Sequence, residues 1–196
     1  TFNICWNMEI YLIRHTKPFI EKGICYGQSD IDVLETFNEE SKKLIQWLPK
    51  DIDILYSSPL KRCLMLSQKI QNAMVLKPEI VTDKRIIEMN FGDWEMKKWE
   101  EIDREESDTW IRNILTQSTP NGESFNTLNM RVTNFIDEII VKKQKRIGVI
   151  THAGVIRCFK SYFSKTPLID TLKTDIDFAS LTILNSDSLR LNLPIL

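Results

Sequence analysis

The chain has little of what metal centres, disulfide frameworks and membrane spans require. Its four cysteines, Cys5, Cys25, Cys63 and Cys158, form no Cys-x-x-Cys pair and are separated by wide, uneven gaps. That spacing argues against a zinc site and a disulfide framework, and it favours a reducing compartment, so we expect a cytoplasmic protein. No apolar run in the sequence approaches the ~20 residues that a transmembrane helix needs.

Charge excess and targeting signals are also missing. The charges balance to a net −1, so composition indicates no surface for nucleic acid or for a membrane. The first residues lack a basic stretch followed by an apolar run, and we expect no secretory signal. With 42% hydrophobic residues and no repeats, the chain is expected to form one domain over 8–196, with 1–7 as an N-terminal extension.

Six short segments rich in Ile, Val, Leu and Tyr predict strands. They are 8–14, 53–57, 79–82, 146–151, 180–185 and 188–193, with a hairpin turn predicted between the last two. Because helical periodicity separates the earlier strands, we expect an α/β sheet covered on both faces. Ligands of such sheets gather beyond the carboxyl ends of the strands.

Helices are expected where apolar residues recur at helical spacing. These patterns run from Phe37 to Leu48, from Leu60 to Ile70 and from Leu128 to Ile140. The second should open at Ser58-Pro59, a typical cap and first turn. The charged stretch 98–115 should add helices at one end of the sheet, with its tryptophans as packing anchors.

The only two histidines occupy equivalent places in the sequence. His15 follows Arg14 at the end of one apolar strand, and His152 follows Thr151 at the end of another. A histidine beside an arginine at a strand end is placed to attack phosphorus while the guanidinium holds phosphate oxygens. A single histidine is usually a bystander, but two at strand ends indicate a catalytic site.

Two further residues, together with His152, complete a candidate site for phosphoryl transfer. Arg62, near the start of a predicted helix, offers planar bidentate donors beside a favourable helix dipole. His152 precedes Ala153 and Gly154, small residues that let backbone amides approach a phosphate, and it would donate to the phosphoryl oxygens. Glu88 follows an apolar pair; a partly enclosed carboxylic acid can hold its proton and serve as general acid.

These residues resemble the histidine phosphatase superfamily, also called phosphoglycerate mutase-like. The motifs that carry the resemblance are Leu12–His15, Tyr56–Cys63, Glu88–Glu95, Gly122–Ser124 with Arg131, and Thr151–Arg157. The resemblance implies a three-layer α/β/α sandwich with a mostly parallel central sheet. It also implies phosphorylation of His15, phosphoryl binding by Arg14, Arg62 and His152, proton transfer by Glu88, and neither metal nor cofactor.

Within the superfamily, the loop Cys25–Asp30 is similar to the substrate-side loop of the α-ribazole phosphatases of cobalamin nucleotide-loop assembly. That likeness implies α-ribazole 5′-phosphate as the small-molecule partner. Tyr26 and Gln28 are then candidate nucleoside contacts, or else a packing aromatic and a turn residue. Thr16, Ala153 and Met96 replace glycines common in the superfamily, which bears on the substrate more than on the chemistry.

Four alternatives remain open at this point. A histidine phosphatase of broad or other specificity, on sugar phosphates for example, keeps every motif. A phosphoglycerate mutase usually carries larger insertions. Asp-Ile-Asp at 30–32, 51–53 and 175–177 suggests haloacid-dehalogenase-type chemistry, but none of these pairs ends an apolar strand. A non-catalytic binding module would be expected to have lost charged site residues. The oligomeric state is left open.

Overall fold

The computed structural model describes residues 8–185 and the backbone of 188–193. Its six strands are β1 (Glu9–Arg14), β2 (Ile54–Ser57), β3 (Glu79–Thr82), β4 (Arg146–Thr151), β5 (Leu181–Asn185) and β6 (Ser188–Leu193). They form one sheet in the order β3-β2-β4-β1-β5-β6. The first four strands are mutually parallel, and β5 runs antiparallel to both β1 and β6. Every predicted strand is confirmed to within a residue at its ends; the predicted extension and hairpin turn lie outside the described residues.

Six helices accompany the sheet: α1 (Phe37–Ile45), α2 (Lys61–Ala73), α3 (Arg104–Arg112), α4 (Phe125–Ile139), α5 (Ala153–Ser164) and α6 (Leu168–Thr171). Three short 3-10 turns lie between β3 and α3, at Lys84–Ile86, Gly92–Trp94 and Trp99–Glu101. Within the part of the chain that the structure describes, no helix is long and apolar enough to cross a membrane.

Side-chain alternation along the strands produces the layers. In β1, Ile10 and Leu12 join a core that includes residues of α4 and α5, such as Phe135. Tyr11 and Ile13 face a second core, formed with residues of α1 and α2 that include Leu44. Burying each large aliphatic side chain contributes about 1.5–3 kcal/mol, so the apolar runs fix both register and face. The three-layer α/β/α fold is therefore confirmed.

Two helix boundaries differ from the sequence prediction. α2 begins at Lys61 with Leu60 as its N-cap, so the predicted start at Ser58-Pro59 is wrong. The Ser58 hydroxyl instead lies 2.8 Å from a ring nitrogen of His152. Leu48 lies beyond the end of α1 but is buried in the core. The three cysteines among the described residues, Cys25, Cys63 and Cys158, are free and buried.

Candidate active site

The two histidines meet because their strands are neighbours. β1 and β4 are parallel and in register, with Arg14 opposite Thr151, so the residues that follow them emerge at the same edge. The ring centroids of His15 and His152 are 5.0 Å apart, and the rings are inclined at 61°. Both side chains are buried, His15 being 2% exposed and His152 fully enclosed.

Hydrogen bonding fixes the tautomer of His15. Its Nδ1 lies 2.7 Å from the backbone carbonyl oxygen of Thr16. A carbonyl can only accept, so Nδ1 carries the proton and Nε2 keeps its lone pair. Burial, followed by the charges of Arg62 and Arg14, lowers the pKa of His15 well below 6.5. His15 is therefore neutral at physiological pH, with a nucleophilic Nε2.

His152 is the N-cap residue of α5 and has the opposite tautomer. Its Nδ1 lies 3.5 Å from Arg62 Nη2, and its Nε2 lies 2.8 Å from Ser58 Oγ. Since a guanidinium can only donate, Nδ1 accepts and Nε2 donates to the serine hydroxyl. Burial, followed by His15 and Arg62, lowers the pKa of His152 well below 6.5. A phosphate dianion nearby would favour protonation of this ring, which is what the predicted donor role requires.

Two arginines, one fully and one partly buried, supply positive charge. Arg62 is fully buried, and its Nη1 and Nη2 donate to the carbonyls of Ser29 and Gly27 at 2.8 and 2.7 Å. Arg14, at the end of β1, donates to the carbonyl of Ile176 and lies 3.8 Å from the Phe178 ring centroid. Among the described residues, the buried Nε atoms of both arginines have no hydrogen-bond partner. Each guanidinium thus has a donor left for an anion.

Glu88 is held by backbone amides on two sides. Its Oε1 accepts from the Met89 N–H at 3.0 Å, and its Oε2 accepts from the Gly154 N–H at 3.2 Å, in the first turn of α5. A Cβ at Gly154 would lie 2.3 Å from Oε1. The absence of a side chain at position 154 therefore lets the carboxyl group approach the helix.

Arg131 holds the segment that leads into Glu88. Its Nη1 donates to the carbonyls of Arg85 and Ile87 at 2.7 and 2.6 Å, and its Nη2 donates to the carbonyl of Glu88 at 2.9 Å. Glu123 orients the guanidinium through an ion pair of 2.6 Å. In the sequence, only the family resemblance pointed to Arg131 and Glu123. The carbonyl groups that Arg131 binds are distant from it in the chain, so no local pattern reveals the contact.

Glu95, to which the sequence analysis assigned no role of its own, fixes the loop that holds Arg62. Its carboxylate accepts from the backbone N–H groups of Gln28, Ser29 and Phe91 at 2.8, 2.6 and 3.2 Å. Burial alone would raise the pKa of Glu95, but these bonds and one from the Ser29 hydroxyl lower it below its ordinary value. The ionised carboxylate thus orders the carbonyls on which the Arg62 guanidinium rests.

One cavity of about 370 Å³ brings the predicted residues together. Arg14, His15, Arg62, Glu88 and His152, called the charged set below, all line it, as does Tyr26. The Tyr26 ring centroid lies 5.5 Å from the Arg62 guanidinium carbon. Gln28 is not among the residues lining this cavity; its side-chain amide donates to the Glu88 carbonyl at 3.0 Å.

The remaining cavity wall consists mostly of residues that the sequence analysis did not place in the site. They are Ile24, Met89, Phe91, Trp99, Trp110, Ile114, Phe125, Arg157 and Leu172. The tryptophans of 98–115 were predicted to be packing anchors, and Trp110, 8% exposed, packs as expected. Trp99 also packs, against the rings of Phe91, Trp94 and Trp110, but it is 40% exposed and lines the cavity as well.

The aspartates of the haloacid-dehalogenase-type alternative, at 30–32, 51–53 and 175–177, are all exposed. Asp53 accepts from the backbone N–H groups of Lys145 and Arg146 at 2.7 and 2.8 Å, and Asp51 pairs with the Arg146 side chain. Asp30 accepts from the Lys61 backbone N–H at 2.7 Å. In residues 8–185, no group of three or more His, Cys, Asp or Glu side chains could hold a metal ion.

Known proteins resemble this chain over most of its length. The model of the histidine phosphatase superfamily (branch 1) matches residues 10–193. The chain is 26% identical to phosphoserine phosphatase 1 of Hydrogenobacter thermophilus, over 93% of this chain and 89% of that one. It is also 26% identical to the adenosylcobalamin/alpha-ribazole phosphatase of Escherichia coli, over 76% and 75%. The α-ribazole phosphatase of Shigella flexneri has the same fold, with a TM-score of 0.82 and 21% identity over 90% of this chain and 89% of that one.

Proposed function

The chain belongs to the histidine phosphatase superfamily and is a phosphatase, and on that premise we propose that it hydrolyses phosphomonoesters through a phosphohistidine on His15. Residues 8–196 would act as one catalytic domain. A cytoplasmic location belongs to the same proposal and is supported by the free thiols of Cys25, Cys63 and Cys158.

The proposed reaction has two steps. Nε2 of His15 attacks phosphorus, the P–O bond to the leaving group breaks, and Glu88 gives its proton to the departing oxygen. Water then attacks the phosphohistidine, Glu88 takes a proton from that water, and inorganic phosphate leaves with His15 restored. Arg14, Arg62 and His152 hold the phosphoryl oxygens and balance the charge that develops on them.

One observation carries this proposal. A neutral histidine with a free Nε2 lone pair lines the same cavity as two guanidiniums, each with a buried Nε donor that has no partner within the described part of the chain. Buried cations without a carboxylate partner favour an anionic ligand strongly, because leaving them uncompensated is costly. Among the described residues, neither Arg14 nor Arg62 forms a salt bridge.

For the substrate we propose α-ribazole 5′-phosphate, as in cobalamin nucleotide-loop assembly. The proposal is supported by the Cys25–Asp30 loop, by the Escherichia coli relative, and by a cavity wall with several aromatic side chains. Tyr26 would contribute through its ring beside the Arg62 guanidinium, and Gln28 through its bond to the Glu88 backbone.

A different small phosphomonoester is the second candidate. The relative named phosphoserine phosphatase 1 is as similar in sequence, and Arg157 lines the cavity with a buried Nε that has no partner among the described residues. A cation there suits a substrate with a second anionic group. Sugar phosphates and phosphoglycerates belong to this candidate as well.

The test is a screen of phosphomonoesters in the presence of EDTA. We expect turnover without added metal, and kcat/KM for α-ribazole 5′-phosphate at least ~100-fold above that for 3-phosphoglycerate or phosphoserine, about 2.7 kcal/mol of discrimination. Equal values would remove the α-ribazole assignment and leave the general phosphatase. Activity that depends on Mg²⁺ would contradict the proposed chemistry.

A further inference from the structure

Three aromatic side chains form a continuous part of the cavity lining. Phe91, Trp99 and Trp110, called the aromatic wall, have ring centroids 5.8–6.2 Å from one another. All three line the cavity that contains His15. Ile114 and Leu172 line the same cavity, so an apolar surface adjoins the charged set.

The exposure of these rings differs from what core packing alone would give. Trp94, which contacts the same cluster, is 3% exposed and does not line this cavity. Trp99 is 40% exposed although it stacks on Trp110 at an interplanar angle of 27°. A large apolar ring left partly exposed inside a concave site is the kind of surface that ligands cover.

The wall also contains an unused hydrogen-bond donor. Trp110 is 8% exposed, and its indole Nε1–H has no partner among the described residues. A buried N–H group without a partner is uncommon in folded proteins, because it loses its bonds to water and gains nothing in return. Trp110 lines this cavity and a second one beside Trp94, and a ligand acceptor in the first would satisfy the N–H group once the indole turns to expose it.

The position of the wall is set by the loop that follows the nucleophile. Trp99 N–H donates to the Gly23 carbonyl at 2.9 Å, and the Cys25 N–H donates to the Lys97 carbonyl at 2.8 Å. Ile24 forms a bridge with Lys98 and also lines the cavity. The wall and the charged set are therefore connected through one segment of backbone.

We propose that the aromatic wall is the binding subsite for the leaving group and that it selects esters whose leaving group contains a flat, mostly apolar ring system with a hydrogen-bond acceptor. The ring would pack against Trp99 and Phe91, and the acceptor would take the Trp110 N–H. This inference rests on the proposed phosphatase chemistry of His15, which places the ester phosphate in the same cavity. It assigns selectivity to 91–110, whereas the sequence had suggested Tyr26 and Gln28.

Paired substrates isolate the ring. α-Ribazole 5′-phosphate and ribose 5-phosphate differ by the base, and 1-naphthylmethyl phosphate and ethyl phosphate differ by an aromatic group without any ribose. Both pairs release primary alcohols, so the demand on the general acid is similar within each pair. We expect wild-type kcat/KM to favour the ring-bearing member by at least about tenfold in both pairs.

Trp99→Ala should reduce both preferences about tenfold, mainly by raising KM for the ring-bearing ester of each pair. Trp47→Ala is the matched control, because Trp47 is 56% exposed and is not among the residues lining this cavity. It should change neither preference. Equal losses on all four substrates with Trp99→Ala, or no ring preference in the wild type, would overturn the inference.

A binding measurement separates the subsite from the proposed substrate and from activity. Titration of ¹⁵N-labelled protein with 5,6-dimethylbenzimidazole should shift the indole N–H signals of Trp99 and Trp110 but not that of Trp47. Unmoved signals would overturn the subsite whatever the enzyme hydrolyses. A ring preference for the naphthyl pair without one for the ribose pair would keep the subsite and reject α-ribazole 5′-phosphate.

Discussion

The charged set and the aromatic wall line one cavity but are positioned by different secondary-structure elements. Arg14, His15 and His152 stand at the carboxyl ends of adjacent strands, where backbone bonds such as His15 N–H to Thr151 O, at 3.0 Å, hold them. The aromatic wall belongs to 3-10 turns, loops and the short α3 in the connection between β3 and α4. The sheet edge thus fixes the reacting groups, while a connecting segment lines the cavity beside them. Substitutions in one region should therefore leave the other region's contribution intact.

The largest expected effect comes from the nucleophile. His15→Asn should lower kcat by at least about 10⁴-fold, because no other group supplies the attacking lone pair. Wild-type enzyme quenched during turnover should carry acid-labile, base-stable phosphate on His15. Trp99→Ala should still be labelled if the two regions are independent. Label on Ser57, Ser58 or an aspartate would refute the assignment.

Arg62→Lys comes next. A lysine keeps the charge but cannot reach the Gly27 and Ser29 carbonyls and also offer an Nε–H to phosphate, so we expect kcat/KM to fall about 100-fold. Arg85→Lys is the control, since Arg85 pairs with Asp83 and Glu138 near the surface. Arg85→Lys should lower kcat/KM by less than twofold. Equal effects of the two variants would mean that Arg62 serves only the fold.

Glu88→Gln should distinguish leaving groups. If Glu88 protonates the departing oxygen, alkyl phosphates should lose about 100-fold in kcat, whereas p-nitrophenyl phosphate, whose leaving group needs little protonation, should lose only a fewfold. Steady-state kinetics on both esters is sufficient. A uniform loss would assign Glu88 to binding or stability instead.

Gly154→Ala should reproduce part of the Glu88→Gln effect, a loss confined to alkyl phosphates, without changing Glu88 itself. The new Cβ would meet Glu88 Oε1 and displace the carboxyl group, so we expect about a tenfold loss on alkyl phosphates only. In the Glu88→Gln background, Gly154→Ala should lower alkyl phosphate turnover much less, because both changes act through the Glu88 carboxyl group. Additive losses would show that Gly154 acts elsewhere, for instance on the amides of α5.

The last prediction concerns stability against pH rather than turnover. Folding lowers the pKa of His15 and His152 below 6.5, so below that pH the unfolded chain binds protons that the folded chain does not. The free energy of unfolding should therefore fall as pH drops from 7.5 to 5.5, by about 1.4 kcal/mol per pH unit for each histidine once below 6.5. Urea titrations at several pH values give the free energy of unfolding at each pH. Its dependence on pH should be weaker in His15→Asn and unchanged in Trp99→Ala. A pH-independent wild type would contradict the neutral, buried histidines.

The same division explains what the sequence could predict. Strand positions follow from short apolar runs, and the residues after those runs must emerge at one edge, which identifies Arg14, His15 and His152. The start of α2 was missed because the partner of Ser58 is His152, 94 residues away. Trp99 and Glu95 were missed because their surroundings come from backbone pairing between loops, which leaves no periodic signal in the sequence. Glu88 could be found only through its motif.

The neighbouring positions of β1 and β4 have a consequence for the timing of synthesis. His15 is made early, but the strand that brings His152 beside it is made late, and the Ala179 N–H that donates to the His15 carbonyl at 3.0 Å is made later still. A nascent chain that stops before Ala179 lacks this bond and the β5 strand that pairs with β1, although Arg62, Glu88 and His152 are already made. Ribosome-bound chains ending before Ser180 should be inert, so the first catalytic turnover marks completed folding more sharply than compaction does.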